Sequence, residues 1–134
     1  RWGAKMKPGW EYLLANEGPY LIHCNEGKDR AGFVSALLEA LMGASLDEIV
    51  ADYMTSYENY YHVEEDSEQY DRIAESNIMA SLRMIAGLEA GAGLSGTDLR
   101  AAAVGYLTET VGLSAQQVED LQAVLSGTAA EAAA

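Results

Sequence analysis

The chain is short of cysteine, of basic residues and of long apolar runs, and each shortage narrows what it can be. One cysteine, Cys24, in 134 residues excludes an intrachain disulfide framework and a cysteine-rich zinc site, so this residue is either inert filler or chemistry. Eight Lys and Arg against 21 Asp and Glu leave a net charge of −13, which turns the surface against DNA, RNA and anionic membranes and suits a basic partner or a small ligand. No apolar run approaches the ~20 residues that span a bilayer, so no integral membrane segment is expected, and no charged-then-apolar leader opens the chain. The expectation is a soluble protein. With 49% hydrophobic and 22% charged residues, the chain has the mix of one domain around one core.

The few cations are unevenly placed. Residues 1–30 carry a net charge of +1, whereas residues 31–134 carry −14. Lys28 and Arg30 therefore stand out beside Cys24, and in an otherwise acidic protein they point to a local anion site.

The periodicity reads mostly as helix. Trp10, Tyr12, Leu13 and Leu14 suggest a short helix after Pro8 and Gly9, closed by residues 16–18. Phe33, Val34, Leu37, Leu38, Leu41 and Met42 recur at three- and four-residue steps over 31–42, with Gly43 placed to end the helix. Ser45 followed by Glu48 is a capping box, and Leu46, Ile49, Val50, Tyr53 and Met54 form the next stripe. Tyr70, Ile73, Ala74, Ile78, Leu82 and Ile85 predict one helix or two before the glycine-rich stretch 87–96, and two more helices follow, one ended by Gly112 and one capped by Ser114 and Gln117.

One segment reads differently. Tyr20, Leu21 and Ile22 form a brief apolar run between Gly18-Pro19 and polar residues, which predicts a buried parallel strand leading into the helix at 31–42. A parallel strand needs neighbours and crossovers that no other segment supplies, and the chain opens on Arg1. The expected architecture is therefore α/β, a parallel sheet flanked by helices with a helix-rich C-terminal part, whose upstream strands lie outside this chain. Residues 1–134 are expected to form one domain: strand, anion loop and helix over 1–44, a helical part over 45–127 and a flexible tail over 128–134.

The chemistry sits between that strand and the helix. His23-Cys24-Asn25-Glu26-Gly27-Lys28-Asp29-Arg30-Ala31-Gly32 puts an arginine six positions after the cysteine, at a helix start. A loop of this length wraps an anion with its backbone N–H groups, the helix N-terminus adds partial positive charge, and Gly27 permits close backbone approach. The same field stabilises the Cys24 thiolate. Arg30 offers a planar fork of donors for two phosphoryl oxygens, which a lysine only approximates as a point charge.

His-Cys-x5-Arg is similar to the signature of cysteine-dependent protein tyrosine and dual-specificity phosphatases. More narrowly, residues 23–32 resemble the HCxxGKDRxG loop of the bacterial tyrosine phosphatase family that includes secreted mycobacterial and Listeria enzymes; Val50-Ala51-Asp52-Tyr53 also looks familial. The resemblance implies the parallel-sheet phosphatase fold, no cofactor and no metal. It also implies a phosphocysteine mechanism with Cys24 as nucleophile, Arg30 holding the phosphoryl group and Asp29 as the acid that protonates the leaving group. Asn25, Glu26, Gly27, Lys28, Asp29 and Arg30 would cradle the phosphate, and His23, Ala31 and Gly32 would support the loop. The partner it implies is a phosphotyrosine protein or a phosphoinositide; no nucleic acid is expected, and the compartment is cytoplasmic or secreted from a bacterium.

Two residues depart from the pattern. Ala31 stands where a hydroxyl residue usually helps the thiolate leave, and Glu26 puts a carboxylate inside the anion loop. Both features favour the alternative of a pseudophosphatase or inactive fragment that binds phosphate without turning it over. Tyr53, Tyr57 and Tyr60 are candidates for a wall against a substrate ring, against the plainer reading that they pack the helix. A nucleotide-binding P-loop is excluded, because Asp29 follows Lys28 where that motif needs Ser or Thr.

Overall fold

The computed structural model describes residues 2–24 and 28–126, and these contain helices and connecting loops but no β-strand. Eight α-helices occur among them: α1 (Trp2–Lys5), α2 (Lys7–Ala15), α3 (Arg30–Leu41), α4 (Leu46–Tyr61), α5 (Glu68–Ala74), α6 (Ala80–Ala86), α7 (Leu99–Gly105) and α8 (Ala115–Ser126). A π-helical turn, Glu75–Met79, joins α5 to α6 without a break, and a second, Tyr106–Val111, extends α7. The expected tail falls outside the described residues, as do Asn25, Glu26 and Gly27 of the expected anion loop.

The expected α/β architecture is overturned: the described residues contain no parallel sheet, and Tyr20, Leu21 and Ile22 form no strand. The physical reason is local. A strand exists only through a partner, and no other extended segment of the described chain lies against this one. Tyr20 turns back instead, and its hydroxyl donates to the carbonyls of Leu13 and Asn16 at the end of α2. Carbonyls that α2 leaves without an intrahelical donor are thus satisfied by the residue expected to begin the strand. α2 starts earlier than the sequence suggests, taking Pro8 and Gly9 into its first turn, where proline's missing N–H costs nothing.

α3 is the central element. Ala31, Phe33, Ala36, Leu37, Ala40 and Leu41 are all buried, and α4, α6 and α7 pack around it. The helix can be enclosed because its sequence is almost wholly apolar, each buried leucine contributing roughly 1.5–3 kcal/mol. Its C-terminal carbonyls find donors on later helices: Gln122 Nε2 donates to Leu41 O and Arg100 Nη2 to Met42 O, both at 3.2 Å. Gly43, at φ 91°, lets the chain leave α3 in the left-handed region, and the Arg100 guanidinium lies where a side chain would stand.

The next helix begins as its sequence predicts. Ser45 Oγ accepts from Glu48 N at 3.2 Å, and Glu48 Oε1 accepts from Ser45 N at 3.3 Å. The Ser114–Gln117 pair repeats the arrangement before α8, at 3.0 and 2.9 Å. The buried Arg83 ties the π turn to the glycine-rich loop, its Nη1 on Glu75 Oε1 and its Nε donating to Ala92 O, each at 2.6 Å.

Candidate functional site

Residues 23–32 run from the loop segment ending at Cys24 into the N-terminus of α3, which the second half of α4 lies against through Lys28–Tyr57 and Gly32–Tyr53. Cys24 is partly buried and His23 exposed. After the three residues outside the described part, the chain re-enters at Lys28, and Asp29 accepts the first helical bond of α3 from Phe33 N at 2.9 Å. The Asp29 carboxylate caps no backbone N–H; it pairs instead with Lys28 Nζ at 3.2 Å. Arg30 occupies the first position of α3 and is exposed, and no hydrogen bond or ion pair among the described residues engages its guanidinium. Ala31, 6% exposed, points into the core, where a small side chain suits the crowded start of the helix.

Of the candidate aromatic wall, the structure brings two members to the site and leaves one away from it. Tyr53, Tyr57 and Tyr61 follow one another at four-residue steps along α4, with ring centroids 5.9 and 5.6 Å apart. Lys28 Nζ lies 5.8 Å from the centre of the Tyr57 ring, a cation–π arrangement that holds the ammonium between Tyr57 and Asp29. Tyr53 packs on Gly32. Burial first, then the Tyr57 hydroxyl and charge and the charge of Asp29, keep its phenol protonated well above the usual tyrosine range. Tyr60 is exposed, its ring against Tyr61 at 5.7 Å.

Gly32 has a specific steric role. A Cβ there would sit 2.9 Å from the Tyr53 ring, so the absent side chain sets how closely α4 approaches the start of α3. Gly32→Val is expected to destabilise the fold by about 1–3 kcal/mol, the range for overpacking. In denaturant titrations Gly32→Val combined with Tyr53→Ala should cost less than the two single changes added, because the second substitution removes the clash; strict additivity would show that the contact is not what Gly32 protects.

Two small cavities border this cluster. One, of about 320 Å³, lies beside Asp29 between α3, α4 and the π turn, with Phe33, Tyr53, Asn77 and Met84 on its walls. The other, of about 210 Å³, is bordered by Lys28, Gly32, Glu39, Asp52 and Tyr53. In it Glu39 of α3 faces Asp52 of α4. Burial raises the Glu39 carboxyl most, followed by the hydrogen bond to Asp52 and the charges of Asp52 and Glu48, and together they push it up to about 8. Sequence reading did not find this acid pair, because Glu39 stands off the apolar stripe of α3 and reads as a solvent-facing residue. The only sequence signal was Asp52, noted for its familial surroundings and not for its chemistry.

Comparison with known proteins gives the chain a family. Residues 4–127 match the tyrosine phosphatase family. The triple specificity protein phosphatase PtpB of Mycobacterium tuberculosis is 54% identical over 44 residues, which are 33% of this chain and 16% of that protein. A protein of Cupriavidus necator named for tyrosine-protein phosphatase activity is 50% identical over 36 residues, 27% of this chain and 13% of its own. The chain thus spans less than a fifth of the length of these curated relatives. No solved structure matches it.

Proposed function

Because the chain belongs to the tyrosine phosphatase family, we propose that it hydrolyses phosphoric monoesters, phosphotyrosine foremost, through a phosphocysteine formed on Cys24. The observation that carries this reading is the start of α3, where Arg30 opens the helix in exposed position six residues after Cys24 and Asp29 precedes it beside a cavity walled by Tyr53. The Cys24 thiolate attacks phosphorus and forms the S–P bond as the P–O bond to the leaving group breaks. The Arg30 fork holds two non-bridging oxygens through this in-line step. Asp29 gives its proton to the departing oxygen, and a water then attacks phosphorus, returns a proton to Asp29 and releases inorganic phosphate and the thiolate.

The Lys28–Asp29 pair takes part in the same reading. Lys28 holds the Asp29 carboxylate, and an incoming phosphate competes for the ammonium. The freed Asp29 would take up a proton from solvent or from a substrate that arrives as the monoanion, and this is the proton it gives to the leaving oxygen. Tyr53 and Tyr57 line the approach, which suits an aryl phosphate better than an alkyl one. Asn25, Glu26 and Gly27 complete the proposed cradle, with His23, Ala31 and Gly32 supporting its two ends. A second reading, a module that binds phosphate without turnover, draws on Ala31, which offers no hydroxyl to help the thiolate leave.

Alkylation of Cys24 by iodoacetamide, followed against pH with and without vanadate, tests the cradle itself. The expected result is a thiolate appearing well below the ordinary cysteine value of ~8.5 and protection by vanadate. An ordinary titration with no protection would show that no anion site forms around Cys24.

A further inference from the structure

The cavity beside Asp29 has walls that the phosphoryl chemistry does not use. It holds about 320 Å³, the low end of the ~300–1,000 Å³ typical of small-molecule sites, which is room for one ring and not for a stretch of peptide. Its apolar walls come from four places in the fold: Phe33 from α3, Tyr53 from α4, Ile78 from the first π turn and Met84 from α6. Phe33 and Ile78 are buried, whereas Met84 is 54% exposed and borders solvent.

Charge says what enters. Among the described residues no lysine, arginine or histidine lines this cavity, and its one charged wall is Asp29, so a phosphate anion is repelled from it. Its hydroxyl and amide groups do not stand in for a cation: Ser76 Oγ donates to Arg72 O at 2.8 Å and Asn77 Nδ2 to Ile73 O at 3.0 Å, donors spent within their own helix. The occupant is therefore uncharged. Its place follows from the acid, because Asp29 passes a proton to the leaving oxygen only from about 2.6–3.2 Å, and the carbon group on that oxygen then lies against the wall to which Asp29 belongs. The phosphoryl group stays outside, since neither Cys24 nor Arg30 borders the cavity.

We propose, on the reading that Asp29 is the acid of the reaction, that this cavity receives the organic half of the ester, that it selects a flat aromatic group, and that Met84 is a specificity-determining residue. The ring of the leaving group lies between Phe33 and Tyr53, whose faces and edges suit a third ring. The Met84 thioether, soft and polarisable, packs on it from the solvent side. A short alkyl group leaves most of these walls untouched, so the preference for aryl over alkyl esters is set by α6 and the π turn before it, outside the loop that holds the phosphate.

Protection of Cys24 from iodoacetamide tests this without requiring turnover, with phenylphosphonate and methylphosphonate as the same anion with and without a ring. Phenylphosphonate is expected to protect at a concentration at least about tenfold lower. Met84→Ala should raise that concentration about two- to tenfold. Ala80→Trp, which fills the cavity from an exposed position on its wall, should remove the preference altogether. Both variants should leave protection by methylphosphonate and by vanadate unchanged, since neither probe is large enough to reach these walls, and their circular dichroism should match the parent. Equal protection by the two phosphonates in the parent overturns the proposal and leaves the anion site standing, and so does a preference that survives Ala80→Trp. Should Ala80→Trp fail to fold, Met84→Ala decides alone, an unchanged preference overturning the proposal. A parent chain that vanadate also fails to protect has no cradle at Cys24, a result that removes the phosphatase reading and this proposal together.

Discussion

Cys24→Ser is expected to abolish turnover of p-nitrophenyl phosphate, by on the order of 10⁴-fold or more, while vanadate binding stays within a few-fold of the parent. A serine hydroxyl beside the same donors is not ionised at neutral pH, so the S–P bond has no counterpart, and losing a covalent nucleophile costs hydrolases about this much. On the proposed reading binding survives because Cys24→Ser leaves Arg30 and the rest of the loop unchanged. Arg30→Lys should lie between the two extremes, since a lysine keeps the charge but loses the bidentate grip on the transferring group. It should lower kcat more than it raises KM, because the second hydrogen bond matters most as phosphorus changes geometry. The pair of assays also separates the two readings of the site. A parent chain that binds vanadate through Arg30 but turns nothing over is a phosphate-binding module, whereas turnover that Cys24→Ser leaves intact removes Cys24 from the mechanism.

The residues that nominate this site were legible because their meaning lies in spacing. Cys24 and Arg30 stand six apart across a helix start, and α3 does begin at Arg30. The caps were legible for the same reason: Ser45 with Glu48 and Ser114 with Gln117 each satisfy backbone donors within a few residues, whatever the rest of the chain does. What failed was the inference that needed a partner. Tyr20, Leu21 and Ile22 are apolar enough for a strand, but strand formation is decided by a second strand, and Tyr20 found its partners on α2 instead. The π turns were equally hidden, because the apolar steps Ala74, Ile78, Leu82 and Ile85 stay at three and four residues across the first of them and look like one α-helix. The contact between Gly32 and Tyr53, like the burial of the Trp10 indole, depends on how helices cross, which no local pattern records.

That dependence on crossing is sharpest at Glu39 and Asp52, and it gives the fold a pH dependence of unusual sign. Carboxylates in folded proteins more often have lowered pKa values, and their contribution is lost in acid. Glu39 is the reverse: its folded pKa is about 8 against an ordinary 4.5. Between those values the folded chain holds a proton that the unfolded chain has released, so stability falls as pH rises from about 4.5 to about 8 and levels off above. Allowing for the solvent screening of a half-buried pair, the loss is on the order of 1–2 kcal/mol. Glu39→Gln keeps the shape and removes the titration. In urea series at successive pH values it should flatten this slope, leaving the variant more stable than the parent at pH 9 and no more stable at pH 4; parallel curves for parent and variant would sink the assignment. The consequence reaches the site, because the acid pair shares its cavity with Lys28, Gly32 and Tyr53, the residues that join α3 and α4 at the proposed cradle. An alkaline fall in activity therefore mixes proton loss at the reacting groups with loosening of this contact. Glu39→Gln separates them: whatever part of the alkaline limb persists in the variant belongs to the chemistry, and whatever part disappears belongs to the helix pair that holds it.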